Sequence, residues 1–383
     1  MPKPIYLCAD NILSSLGLST QENMDALYNQ YSGIKCYNQL PFSQVPMCTS
    51  LINRQKIQEH FAALKTKEKY THLEKMLLVS VQDALSQTSI SANKADTLFV
   101  FSTTKGNINL LEESHDFEKE RIFLWRTAEI ISQHFNNTNT PITISNACIS
   151  GVTAINTAAS LLRAGQYKHA VIMGADIMSE FTPSGFQSFK AISSKPCKPF
   201  DQERDGITLG EAAGTIILST ETHTLANKGT MAYLGGASSN DANHISGPSR
   251  TGDGLYLAIK QALTQSGKTT NDIHLLSAHG TATVYNDEME SKAFDWAGLN
   301  QVPVNSLKGY WGHTLGAAGI IESIATCHSL LDNKTIATLG YSKHGVPKPL
   351  NIITKTAEQT MQCALKTASG FGGSNAAAVF QKL

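Results

Sequence analysis

Apolar positions fall into short dense runs that alternate with stretches of helical spacing. Residues 97–101, 142–145, 170–173, 215–218, 275–278, 302–305 and 376–380 are such runs and predict buried strands. Residues 73–85, 152–164, 255–265, 287–297 and 319–331 repeat apolar side chains every three or four positions and predict helices. Gly165 is placed to stop the second of these, and Gly267 lies just past the third. The alternation predicts an α/β fold with buried strands. The order also repeats, each time as a strand ending in a chemically reactive residue, a helix and a further strand. That predicts two similar halves joined near 220–229, so that residues 1–225 carry Cys148 and residues 226–383 carry His279 and His313. Residues 112–126 and 181–204 are polar and irregular beside their neighbours and read as excursions from the core.

Composition narrows the class. The chain has 383 residues, 41% of them hydrophobic, enough for a large core. Its formal net charge is zero, which gives no support for nucleic-acid binding. The seven cysteines are irregularly spaced without a C-x-x-C pair, which argues against a disulfide framework and a zinc site and favours a reducing compartment. The start, Met1-Pro2-Lys3-Pro4-Ile5-Tyr6, does not read as a signal peptide, and no run approaches the roughly 18 apolar residues of a membrane span. A cytoplasmic protein is the expectation.

Candidate chemistry lies at the ends of the predicted strands. Cys148 stands at a strand-to-helix junction, where the positive end of the next helix would favour the thiolate. His279 ends a strand-like run and is followed by Gly280, Thr281 and Thr283; His313 follows Gly312 and precedes a small-residue run. Lys308, if buried, needs a counter-charge, for which Glu290 is a candidate, with Asp287 one turn away. Gly370-Phe371-Gly372-Gly373 permits close backbone approach and could aim an N–H at a thioester oxygen. No helix follows this turn, so phosphate binding is disfavoured. Each feature alone also fits plain packing.

Together these motifs, with Lys198-Pro199-Phe200-Asp201, Arg204-Asp205-Gly206 and Gly210-Glu211-Ala212-Ala213-Gly214, resemble the β-ketoacyl-[acyl-carrier-protein] synthases of the elongating, two-histidine type. The resemblance covers nearly the whole chain. It implies the thiolase fold, two similar halves in a five-layered αβαβα arrangement. It also implies acyl transfer to Cys148, and decarboxylation of a malonyl thioester held by His279 and His313. Lys308 would organise the site and pair with Glu290, Asp287 would support the loop, and Thr281 and Thr283 would bind the phosphopantetheine arm. The N–H groups of Cys148 and Phe371 would form an oxyanion hole, with Phe371 as gate beside Gly372 and Gly373.

No metal or organic cofactor is implied, because phosphopantetheine arrives on the carrier. The partners implied are acyl carrier protein, in acyl and malonyl forms, and a second copy of the chain. Lys67, Lys69 and Lys75, or Lys119, Arg121 and Arg126, are candidate carrier contacts. Asn146, Ser369 and Ala212 depart from the common threonine, phenylalanine and glycine, which points to specialised polyene or polyketide-like substrates. A thiolase is disfavoured because Cys363 lies outside the glycine turn. A silent chain-length-factor-like subunit is disfavoured because Cys148 is present, although pairing with such a subunit stays open.

Overall fold

Strands form where residues cannot face water on either side: Leu98, Phe99, Val100 and Phe101 are wholly buried, as are Ala170, Val171, Ile172 and Met173. In the computed structural model, which describes residues 4–43, 45–112, 114–244 and 247–383, the chain begins with β1 (Ile5–Leu13), α1 (Thr20–Tyr28), β2 (Lys35–Tyr37), β3 (Met47–Ser50) and α2 (Arg54–Ala62). It continues through α3 (His72–Ser86), β4 (Thr97–Ser102), α4 (Leu124–His134), β5 (Ile142–Ile144), α5 (Ser150–Arg163), β6 (His169–Asp176), α6 (Phe181–Ser188), β7 (Leu209–Gly210) and β8 (Ala212–Ser219). There follow β9 (Met231–Asn240), α7 (Asp253–Ser266), β10 (Leu275–Ser277), α8 (Val284–Trp296) and β11 (Pro303–Asn305). The last elements are α9 (Lys308–Trp311), α10 (Ala318–Leu331), β12 (Asn351–Ile352), β13 (Cys363–Gly370) and β14 (Ser374–Lys382).

Eleven strands join in the order β12-β11-β10-β13-β14-β9-β1-β8-β6-β4-β5. One pattern occurs twice, outward from the β1–β9 contact. β1, β8 and β6 are successively antiparallel, and β6, β4 and β5 are parallel. β9, β14 and β13 are likewise antiparallel, and β13, β10 and β11 parallel. α5 and α10 pack against each other and touch strands of both repeats; α3 and α4 cover the first, and α7, with α8 beside it, covers the second. This is the thiolase fold in five layers. Every residue of α10 is buried, as a helix packed between the two repeats of the sheet must be. The two middle helices meet through glycine: a Cβ on Gly151 would lie 2.9 Å from the Cα of Gly319 and 2.8 Å from the backbone N of Ile320.

Three long strands, β1, β9 and β13, lie outside the predicted runs. The segments expected to be irregular hold the first three residues of α4 at the edge of the first and all of α6 in the second. Cys36 and Cys48 stand directly opposite one another on β2 and β3 and form a disulfide, which their irregular spacing had argued against. The other five cysteines are free and buried. Among the described residues, no helix is long and apolar enough to cross a membrane.

Candidate active site

The β5–α5 turn sets the nucleophile. Ala147 adopts φ of 44°, a left-handed conformation that costs energy for a residue with a Cβ. Ser150 holds the turn, its hydroxyl accepting from the backbone N of Asn146 at 2.8 Å and donating to the carbonyl of Ala147 at 2.6 Å. Gly370 comes so close that an added Cβ would lie 2.9 Å from the Cys148 nitrogen. Burial pushes the Cys148 thiol up to about 11, against the lowering influence of Lys105, Lys308 and the Phe371 N–H. The expected anion-favouring helix end is outweighed, because α5 starts only at Ser150 and the sulfur has lost its water.

Both histidines converge on that sulfur. The sulfur and one ring nitrogen from each of His279 and His313 lie within 4.8 Å of one another, and the rings meet edge-on with centroids 5.0 Å apart. His279 follows β10, and its loop is pinned from α8. Glu290 accepts the backbone N–H of His279 at 2.8 Å and of Gly280 at 2.6 Å; Asp287 accepts those of Thr281 at 3.0 Å and Phe200 at 2.7 Å. Burial lifts Asp287 to about 6 and Glu290 to about 7. His313 follows Gly312, whose φ of 68° and proximity to the Leu209 carbonyl exclude a side chain.

Hydrogen bonding fixes the proton on each ring. Nδ1 of His279 faces the Lys308 ammonium at 3.4 Å and Nδ1 of His313 accepts from the N–H of Leu315 at 3.2 Å, so both rings carry hydrogen on Nε2. The Nε2 of His313 is buried without a hydrogen-bond partner. Burial, aided by Lys308, holds both rings well below the usual histidine range, and they are neutral donors at neutral pH. By ligand type the Cys-His-His set also suits a soft metal.

Lys308 does not pair with Glu290. Its Nζ bonds Glu322 of α10 at 2.5 Å, and the opposite carboxylate oxygen faces Lys366 of β13 at 2.9 Å. Glu290 instead spends its oxygens on the His279 loop. Burial opposes the Glu322 charge, but the two ammonium groups hold its carboxyl below the usual range. The sequence reading missed Glu322, Lys366 and Asp176. Asp176, at the end of β6, accepts from Thr103, Thr104, Lys105 and Gly316, joining the loop after β4 to the loop carrying His313. A lone carboxylate in the apolar α10 and a lone lysine in β13 were the available signals.

A cavity of about 290 Å³ opens on this centre, lined by Cys148, His279, Thr281, Thr283, His313 and Phe371 among others. Phe371 is partly exposed and packs against Phe186 and Phe189, with centroids 5.4 and 5.5 Å away. Gly372 and Gly373 turn with φ of 83° and 70°. Ser369 donates to Asn375, and Ser374 to Asn146, both at 2.8 Å. Of the candidate carrier contacts, Arg121 pairs with Glu74 and Glu118, and Arg126 with Glu118 and Glu129.

Fold and site define a thiolase-fold protein with a cysteine and two histidines at its centre. Residues 11–224 match the beta-ketoacyl synthase N-terminal domain and residues 231–342 the C-terminal domain, and the chain belongs to this family. It is 35% identical over 260 residues to 3-oxoacyl-[acyl-carrier-protein] synthase 2 of Vibrio cholerae, a match covering 63% of this chain and 62% of that protein. Among solved structures, it resembles a ketosynthase in complex with its chain length factor from Xenorhabdus doucetiae, at 24% identity and a TM-score of 0.86, covering 100% of this chain and 98% of that one. It also resembles the ishigamide ketosynthase/chain length factor, at 22% identity and a TM-score of 0.89, with both chains covered in full.

Proposed function

We propose that the chain is a 3-oxoacyl-[acyl-carrier-protein] synthase, joining a Cys148-bound acyl group to malonyl carrier protein with loss of CO₂. The observation that carries this reading is the pair of neutral histidine rings beside a buried thiol. In the first half-reaction Cys148 sulfur bonds the acyl carbon, the carrier thiol leaves, and the thiol proton goes with it. In the second, the C–C bond to the malonyl carboxylate breaks, CO₂ departs and the electron pair becomes an enolate. Its oxygen receives the hydrogen bonds of His279 and His313, which are strongest where charge develops. The enolate carbon bonds the acyl carbon, and the Cys148 and Phe371 N–H groups hold the resulting oxyanion until the C–S bond breaks. Lys308 fixes the His279 ring, Asp287 and Glu290 its loop, and Thr281 and Thr283 the pantetheine arm.

No resident cofactor is needed in this scheme. Acyl carrier protein is the partner for both substrates, with Lys67, Lys69 and Lys75 the cations proposed to meet it. Product formation from acyl and malonyl carrier proteins tests the reading: His279→Ala should abolish CO₂ release from malonyl carrier, and undiminished release would contradict it.

Subunit pairing is part of the proposal. β5 ends the sheet with Ile142, Thr143 and Ile144 all partly exposed, an apolar edge suited to continuation by another strand. A second copy is the first choice. A homologous chain-length-factor-like subunit is the second, favoured by the resemblance to ketosynthases bound to such subunits.

A further inference from the structure

We propose that Lys366 is a tethered monovalent cation, an ammonium standing in an oxygen cage that would otherwise hold a free ion such as K⁺, and that it positions His279; the positioning role rests on the reading of His279 as a donor in decarboxylation. Lys366 is wholly buried on β13, opposite Ser277 of β10. Its Nζ donates to three backbone carbonyls, those of Thr367 at 2.6 Å, Ser277 at 3.2 Å and Ala278 at 3.3 Å. Glu322 of α10 faces it at 2.9 Å. All four neighbours are accepting oxygens. A neutral amine would turn its lone pair on one of them, so the ammonium is the form that fits. Carbonyl oxygens at such distances also replace the water around a bare K⁺ ion, and here one carboxylate balances the charge. Ser277 and Thr367 further keep buried hydroxyls that find no partner among the described residues. The site is richer in oxygen than in donors.

The cage is fastened to a reactive histidine. Ser277 and Ala278, whose carbonyls it gathers, are the two residues before His279. Glu322 carries the second ammonium, Lys308, which meets Nδ1 of the His279 ring at 3.4 Å. A closed ring results, from the Ala278 carbonyl through Lys366, Glu322 and Lys308 to the His279 side chain and back along the chain. The cation at 366 holds the strand end from which His279 projects, while Lys308 holds the ring itself. Lys366 is not among the residues that line the active-site cavity, so it acts through His279 and is a positioning residue.

The test compares wild type, Lys366→Ala, which empties the cage, and Lys366→Met, which fills it without charge. Each is studied in KCl and in tetramethylammonium chloride at equal ionic strength. Thermal melting is the first readout and does not depend on the reaction. Lys366→Ala should melt a few degrees higher in KCl, because an ion bound only by the folded chain stabilises it. Wild type and Lys366→Met should each melt alike in both salts. The second readout is CO₂ release from malonyl carrier protein. In tetramethylammonium chloride Lys366→Ala should lose about a hundredfold in kcat with little change in KM, the cost of a misplaced group, and KCl should restore most of it. Lys366→Ala that melts alike in both salts, or folds in neither, would overturn the tethered cation, as would a wild type that gains from KCl as the variant does. Melting rescued without restored kcat would overturn the positioning role. Wild type that releases no CO₂ would contradict the proposed function instead, and the melting comparison would still decide the cage.

Discussion

At the scale of single residues, the site works by denying protons where they would be ordinary. Each histidine has its Nδ1 engaged and carries its hydrogen on Nε2, and each ring brings a nitrogen within 4.8 Å of the sulfur. Removing one such donor should lower kcat by about 10² to 10³ with little change in KM, as loss of an oxyanion-hole donor does; steady-state kinetics of His313→Ala checks this. The same depression affects stability. In the unfolded chain these rings take up protons near pH 6.5, whereas in the fold they resist, so their contribution is lost as pH falls through that value. Asp287 and Glu290, raised to about 6 and about 7, act oppositely, holding protons the unfolded chain lacks. His313→Asn should therefore lose less melting temperature than wild type between pH 7.5 and 5.5, by scanning fluorimetry. The reassigned ion pair gives a sharper contrast. Glu322→Gln leaves Lys308 and Lys366 buried without their carboxylate and should cost about 3–5 kcal/mol in urea unfolding. Glu290→Gln leaves that cluster intact and should cost less.

Among the elements, the close crossing of α5 and α10 matters most, because it brings the cysteine's helix against the helix supplying Glu322. Gly151→Ala puts a Cβ 2.8 Å from the backbone N of Ile320, and backbone cannot yield as a flexible side chain would. The expected loss is about 1–3 kcal/mol, the usual cost of overpacking, measured by chemical denaturation. Sequence patterning made α3, α5, α7, α8 and α10 visible, because their apolar spacing is regular, and Gly165 and Gly267 marked the ends of α5 and α7. It missed β1, with Asp10 and Asn11 buried among apolar residues, and β9, with two adjacent glycines; both lack the dense apolar run that marks a central strand. The motifs located Cys148, His279 and His313, each beside a turn with unusual backbone needs. They did not locate the partner of Lys308. Glu290 is near in sequence to the site, but its oxygens serve backbone N–H groups, and the true partner reaches across from α10. Long-range pairing of buried charges leaves no local pattern.

For the whole molecule, one central helix pair between two repeats of the same strand pattern places the two reactive halves face to face. Cys148 comes from the first and the histidines from the second, so neither half holds the site alone. The exposed β5 edge predicts an assembly with about twice the 41.4 kDa chain mass in native mass spectrometry; a lone monomer would contradict strand continuation. The most direct test of the account is intact-protein mass spectrometry of wild type and Cys148→Ala after mixing with a panel of acyl carrier proteins. The account predicts the gain of one acyl group on wild type and none on Cys148→Ala. Equal acylation of both proteins, or none of wild type by any donor, would contradict it.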